Sequence, residues 1–270
     1  AGPFFLYLAH SMPHVPLFRS PPFENSSRRG LYGDVIEEID WSVGKILDTL
    51  KTLGLDENTI VVFTSDNGPD PRAAKKYQSA GKFKGSKYTS FEGGHREPCI
   101  IHWPGTIPAG QTCAELACTM DFLPTLLGRA GAKLPKNEID GKDIWPLIDG
   151  TKNAKSPHDV LYYYNDANLQ AVTWKQWKLH LPRTVEACPR WQKNKGYTNL
   201  KTPKLFNLAM DVGETKDVAS ANPAIVKQLL ALAQTGREKF GDYGKRGSLQ
   251  RATGDSRILT PDSAKAVMTK

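Results

Sequence analysis

The sequence is poor in several things, and each shortage closes a class of answers. Its 270 residues hold 4 cysteines, at 99, 113, 118 and 188, and no two form a C-x-x-C pair. Zinc ribbons and fingers depend on such pairs, so they are excluded. Cys113 and Cys118 stand close enough for a local disulfide, and free thiols are the equal alternative. No apolar run approaches the roughly 20 residues that a membrane-spanning helix requires. There is no G-x-x-x-x-G-K-[ST] phosphate loop, no basic stripe interleaved with aromatics, no internal repeat and no low-complexity tract. Neither nucleic acid nor a membrane is expected as a partner.

Acidic residues are also scarce. Lys and Arg number 36 against 28 Asp and Glu, a formal charge of +8. From Arg237 to Lys270 there are eight basic and four acidic residues. That end reads first as a solubilising, partly disordered tail. The rival reading is a surface for a polyanion such as a sulfated sugar. The opening lacks both an initiator Met and a signal peptide, and Ala1-Gly2-Pro3 leads at once into Phe4-Phe5-Leu6-Tyr7-Leu8-Ala9. A chain rarely opens on a core strand, so the expectation is that residues upstream are missing. The N-terminus then says nothing of localisation.

What is present reads as an α/β protein. Residues 4–9 do not alternate, which predicts a strand covered on both faces. A proline-rich loop follows, with Pro13, Pro16, Pro21 and Pro22. Ile36, Ile39, Val43, Ile46, Leu47, Leu50 and Leu53 recur at helical spacing and predict a helix from about Tyr32 to Leu53, stopped by Gly54. Thr59 to Thr64 predicts the next strand. Strand, long helix and strand form a crossover unit, so parallel pairing is expected. Pro98 to Trp103 predicts another strand, Met120 to Ala130 a helix with Pro124 in its first turn, and Asp143 to Ile148 a further turn or two.

After Pro157 the texture changes. Val160 to Tyr164, Leu169 to Trp174, Trp177 to Leu181 and Lys204 to Leu208 predict a small antiparallel sheet, and Ala224 to Phe240 a closing helix. The expected architecture is a mostly parallel sheet with helices on both faces, incomplete, over residues 1–155. A small α+β unit follows over 156–241, and a basic tail over 242–270.

The chemistry begins where a strand runs into an acid and an amide. Ile60-Val-Val-Phe-Thr-Ser65 leads directly to Asp66-Asn67-Gly68-Pro69. In an open parallel sheet, ligands bind at the carboxyl ends of strands. Asp66 and Asn67 there offer one charged and one neutral oxygen, which suits a hard cation such as Ca²⁺ or Mg²⁺. The same residues also spell an ordinary Asx turn. Two donors do not fill a calcium shell of about six to eight oxygens, so others must come from elsewhere.

A second group, His10-Ser-Met-Pro-His14-Val-Pro16, lies at the expected end of the first strand. His14, between prolines, suits an anion ligand or a general acid; the alternative is surface decoration. A third, Lys84-Gly-Ser-Lys87-Tyr-Thr-Ser-Phe-Glu-Gly-Gly94, brings lysines and glycines before the next strand. A mobile point charge there suits sulfate or phosphate, while Lys82 and Lys84 read as solvated. Together these groups describe metal-assisted hydrolysis of a sulfate or phosphate ester.

At these residues the chain resembles the sulfatases of the alkaline-phosphatase superfamily, especially arylsulfatases and N-acetylhexosamine sulfatases. The resemblance runs in order from about residue 3 to 235. It is carried by Phe4 to Ala9 with Pro13-His14-Val15-Pro16, Tyr32-Gly33-Asp34 with Glu38-Ile-Asp40, and Phe63-Thr-Ser-Asp66-Asn67-Gly68. It continues through Lys87 with Phe91-Glu-Gly-Gly94 and Arg96-Glu-Pro98, Trp103-Pro-Gly105, Met120-Asp-Phe-Leu-Pro-Thr125, Asp140-Gly141, and Leu205-Phe-Asn-Leu208 with Asp211 to Glu214. The resemblance implies that Asp66 and Asn67 bind Ca²⁺, with Mg²⁺ the other candidate. It implies that His14 and Lys87 contact the sulfate from two sides. His180 lies on a strand that could reach the pocket and bind substrate; the other reading is a structural His on an exposed sheet face.

The family nucleophile, a formylglycine made within C/S-x-P-x-R, is absent. Cys188-Pro-Arg190 has the wrong spacing, and Ser11-Met-Pro-His14-Val lacks the arginine. The family's N-terminal aspartate pair is absent as well. The resemblance is therefore to the C-terminal portion of a sulfatase, with the formylglycine expected upstream and this chain alone expected to be inactive. It implies a sulfated small molecule or sugar as substrate, the missing N-terminal segment as partner, and a periplasmic, secreted or lysosomal-like location. A phosphoesterase of the same superfamily and a non-catalytic sulfated-glycan binder are the rival readings.

Overall fold

The computed structural model describes residues 2–71, 80–165, 167–183, 199–242 and 245–250. Cys188 and most of the basic tail lie outside these. The first helix, α1, runs Gly30–Thr52 and ends before Gly54, whose φ of +65° is a conformation open to glycine. Asp34, near the start of the helix, is buried, accepts the amides of Asn25 and Ser27 and forms an ion pair with the Arg19 guanidinium, so the preceding loop is tied to the helix. The apolar face is only partly covered. Val35 and Leu50 are buried, while Ile36 and Leu53 are exposed.

Strands β1 (Val61–Thr64) and β2 (Cys99–His102) form a two-stranded antiparallel sheet, with Val61 opposite His102 and Thr64 opposite Cys99. The parallel pairing expected for β1 does not occur among the described residues. Its expected partner, residues 4–9, forms no strand. Phe5 and Tyr7 there are 86% and 82% exposed. A strand needs a second edge to take up its amides and carbonyls, and no described strand lies beside this one.

Between β1 and β2 sits α2, the single turn Glu92–His95. Helix α3, Phe122–Arg129, follows a 3-10 turn over Thr119–Asp121. Pro124 falls in its first turn, where no intrahelical amide is lost. Asp121 is fully buried and ties three segments together, accepting the amides of Cys118 and Lys142 at 2.7 and 2.8 Å and bonding His158 Nε2 at 2.7 Å. Cys99, Cys113 and Cys118 are free thiols, so no 113–118 disulfide forms. Helix α4 is Trp145–Ile148.

The second sheet matches the expected one in type and nearly in bounds. β3 (Val160–Asn165), β4 (Asn168–Trp174), β5 (Trp177–His180) and β6 (Lys204–Asn207) are antiparallel in sequence order. Helix α5, Pro223–Phe240, covers one face. That face carries Leu169, Val172, Leu179, Leu181 and Leu205 against Leu229 and Ala233, all buried. Each fully buried leucine contributes roughly 2 kcal/mol. Gly236 permits the contact with β3, since a Cβ there would stand 2.6 Å from the Tyr162 ring.

The opposite face carries Tyr163, Ala171 and His180 in one row and Leu161, Thr173, Lys178 and Phe206 in the next. Its cover is the segment around α2: Phe91 stacks on His180 at 4.5 Å between ring centroids, and His95 meets Tyr163 edge-on at 5.1 Å. His180 is thus fully buried, not on an exposed face.

Candidate functional site

β1 ends in the turn Ser65 to Pro69, and a loop over residues 80–91 precedes α2 and β2. Two backbone hydrogen bonds lock the loop to the turn. The Gly68 amide donates to the Gly94 carbonyl at 3.2 Å, and the Lys87 amide donates to the Pro69 carbonyl at 2.9 Å. The Gly93 amide in turn donates to the Lys84 carbonyl at 2.7 Å, closing the loop on itself. Lys87 is therefore held by main chain to Pro69, two residues after Asn67, while its ammonium lies 5.5 Å from the Tyr88 ring centroid.

Asn67 Oδ1 is buried and accepts no hydrogen bond. A buried acceptor without a partner costs about 1–3 kcal/mol, and a cation would relieve it. Asp66, next to it, is exposed. Glu97 Oε1 is a second buried oxygen without a partner, and burial together with the charge of Asp66 pushes the Glu97 carboxyl up to about 7. Two orphaned oxygens near a carboxylate fit a hard cation held by oxygen ligands. The sequence gives Glu97 no ligand role; it stands there only within Arg96-Glu-Pro98, one of the stretches that carry the resemblance.

His14 lies apart. Its Nδ1 is 2.8 Å from the Val15 carbonyl, and no hydrogen bond among the described residues joins it to Asp66, Asn67 or Lys87. The loop–turn lock ties the main chain of Lys87 to the turn that carries Asp66 and Asn67, while His14 lies on the exposed N-terminal segment.

Behind the lysine loop is a buried charged cluster. Lys178 Nζ lies 2.8 Å from Glu92 Oε1 and 3.5 Å from Glu214 Oε1, and 4.0 Å from the centroid of the Tyr163 ring. Tyr163 donates its hydroxyl to Glu92 Oε1 at 3.1 Å. His180 Nε2 is 2.6 Å from Glu214 Oε1, and the Arg183 guanidinium approaches His180 Nδ1 at 3.4 Å. Arginine can only donate, so Nδ1 accepts and Nε2–H donates to Glu214.

Burial, with the charges of Lys178 and Arg183, pushes His180 down to about 4 against the pull of Glu214. Burial works against the Glu214 carboxylate, but the His180 hydrogen bond and Lys178 hold it below the ordinary range. A neutral His180 leaves Lys178 as the cation set between Glu92 and Glu214. The sequence offers two places for His180, a strand reaching the pocket and bearing on substrate or an exposed sheet face, and it marks Lys178 in no way; the structure buries both under Phe91 and Glu92. The cover lies 86 residues earlier in the chain at Glu92, beyond the reach of local periodicity.

Comparison with known proteins gives this arrangement its family. Residues 1–132 match the family model described as Sulfatase, and residues 156–256 match that of the C-terminal region of aryl-sulfatase. N-acetylgalactosamine-6-sulfatase of Canis lupus familiaris is 41% identical over 230 residues, which cover 78% of this chain and 43% of that protein. Arylsulfatase A of Homo sapiens is 37% identical over 245 residues, covering 85% of this chain and 48% of that protein. A solved structure from the metabolism of multiple glycosaminoglycans by Bacteroides thetaiotaomicron superposes with a TM-score of 0.75 at 31% identity, covering 86% of this chain and 50% of that one. The chain spans about half the length of these relatives. With both family regions present in order and the turn and lysine loop built against each other, the chain belongs to the sulfatase family.

Proposed function

We propose that this chain is the C-terminal portion of a sulfatase that hydrolyses sulfate esters of aryl or carbohydrate compounds. One observation carries the reading. The turn bearing Asp66 and Asn67 and the loop bearing Lys87 are fastened main chain to main chain, with a buried oxygen of Asn67 left without a donor. Asp66 and Asn67 would hold Ca²⁺, or Mg²⁺ in its place, and that ion would supply positive charge to a sulfate oxygen. A formylglycine in a segment upstream of these residues would supply the nucleophile. Exposed apolar residues 4–8 support such a segment as a partner, since they would complete a larger, mostly parallel sheet with it. Residues 1–155 would then belong to the catalytic unit, 156–241 to a smaller C-terminal one, and 242–270 to a basic tail.

Lys87 would neutralise the sulfate and steady the leaving oxygen as charge builds on it. His14 Nδ1–H donates to the Val15 carbonyl, which leaves Nε2 to face a substrate. From Nε2 a protonated His14 would donate its proton to the leaving oxygen, once the N-terminal segment is seated against the loop. Relatives named for N-acetylgalactosamine-6-sulfate and glycosaminoglycans favour a sulfated sugar, and a periplasmic, secreted or lysosomal-like location follows from the same likeness.

The test is turnover by the protein at its full natural length. An aryl sulfate, a sulfated monosaccharide and the matching phosphate ester are supplied with and without a calcium chelator. Chelator-sensitive release of sulfate is expected. Faster release of phosphate would replace this reading with a phosphoesterase, and retention on sulfated glycan without turnover would replace it with a binding protein.

A further inference from the structure

Glu214 grips both ends of the lysine loop from outside it. Its Oε2 accepts the Glu92 amide at 2.7 Å, and its main-chain carbonyl accepts Lys84 Nζ at 3.2 Å. Its other carboxylate oxygen takes His180 Nε2–H at 2.6 Å. The side chain is fully buried, and its backbone sits at φ +50°, which costs a non-glycine residue energy. From Glu92 the connection runs through α2 to Gly94, whose carbonyl holds Gly68, and from Lys84 to Gly93 and so back into the same turn.

Stability alone does not call for this arrangement. Buried ion pairs can often be exchanged for apolar side chains without loss of stability, because desolvation offsets their attraction. A carboxylate with two committed oxygens adds direction: it fixes the Glu92 amide and the His180 ring at once.

We propose that Glu214, held by His180 and Lys178, is a positioning residue for the reaction assigned above. It sets the 84–94 loop, and through it the placing of Lys87 and of the Asp66–Asn67 cation turn. It touches none of the reacting atoms. The proposal rests on the sulfatase reading.

Glu214→Gln in the protein at its full natural length tests it. The amide keeps the shape but has one oxygen, so it cannot accept from both Glu92 and His180. Three quantities are read: calcium affinity by titration calorimetry, kcat and KM on an aryl sulfate, and hydrogen exchange of the 84–94 amides. Calcium affinity and kcat are each expected to fall on the order of 10-fold, the size of effect known for residues that orient metal ligands, with faster exchange in the loop. Leu229→Ala, in the core beneath α5, serves as the control. It is expected to lower Tm and leave all three unchanged. Should Glu214→Gln fail to fold, Lys84→Met at an exposed position is read the same way and is expected to move the same quantities several-fold. Unchanged calcium affinity and kcat in a folded variant, or an equal loss of both in Leu229→Ala, overturns the positioning role while leaving the sulfatase reading intact. A wild-type protein that neither binds calcium nor releases sulfate overturns both.

Discussion

Gly68 and Gly94 meet main chain to main chain, the amide of the first donating to the carbonyl of the second at 3.2 Å. A Cβ on Gly68 would collide with the Gly93 carbonyl, and one on Gly94 would collide with the carbonyls of Thr89 and Ser86. The atoms in the way are backbone, so they cannot rotate aside. Gly68→Ala is expected to cost about 3 kcal/mol and to lower Tm in a thermal melt. An unchanged Tm would mean the turn and loop are not fastened as described.

Asn67 gives a test that separates the cation from the fold. Without calcium, Asn67→Ala removes a buried acceptor that has no partner, so Tm is expected to hold or rise slightly. With calcium, wild-type Tm is expected to rise by mass action, and the rise is expected to shrink in Asn67→Ala and in Asp66→Ala. Melts with and without the ion, in the protein at full natural length, decide it. An equal calcium response in all three would remove this pair from the cation site.

His14→Ala and Lys87→Ala, each in the protein at full natural length, are expected to lower kcat on the order of 100-fold, as for other contacts to developing charge. Steady-state kinetics on an aryl sulfate measures this. A change confined to KM would assign these side chains to substrate binding alone.

The buried histidine predicts a direction for pH. In the unfolded chain His180 takes a proton below its ordinary value of 6.5; in the folded chain it resists until about 4. Its contribution is therefore fully present above pH 6.5 and is lost as pH falls towards 4. The gap corresponds to roughly 3 kcal/mol. The lowered Glu214 acts in the same direction at lower pH. Tm is expected to drop between pH 7 and 4 in wild type and to drop less in His180→Gln. Equal slopes would show that the histidine is not buried neutral.

Sequence patterns served well where burial is decided locally. The 3.6-residue recurrence along α1 and the alternating strands after Pro157 placed those elements to within a residue or two. Asp66, Asn67 and Lys87 stood out because oxygen donors and lysine beside glycines are chemically conspicuous. Two kinds of feature were not legible. Residues 4–9 have strand composition, yet pairing depends on an edge that the described residues do not supply. Lys178 and His180 alternate with leucines as an outward face would, and only the folded loop at Glu92 shows that this face is covered. A charged residue whose counter-ion lies 86 positions away leaves no local mark.

The uncovered run at the start has a practical consequence. Phe4, Phe5, Leu6, Tyr7 and Leu8 place two phenylalanines, two leucines and a tyrosine in water, with no pairing partner among the described residues. Exposed apolar stretches with free amides and carbonyls recruit strands from other molecules. A preparation of these 270 residues by themselves is accordingly expected to bind hydrophobic dyes and to self-associate as its concentration rises, and light scattering with and without mild detergent would follow it.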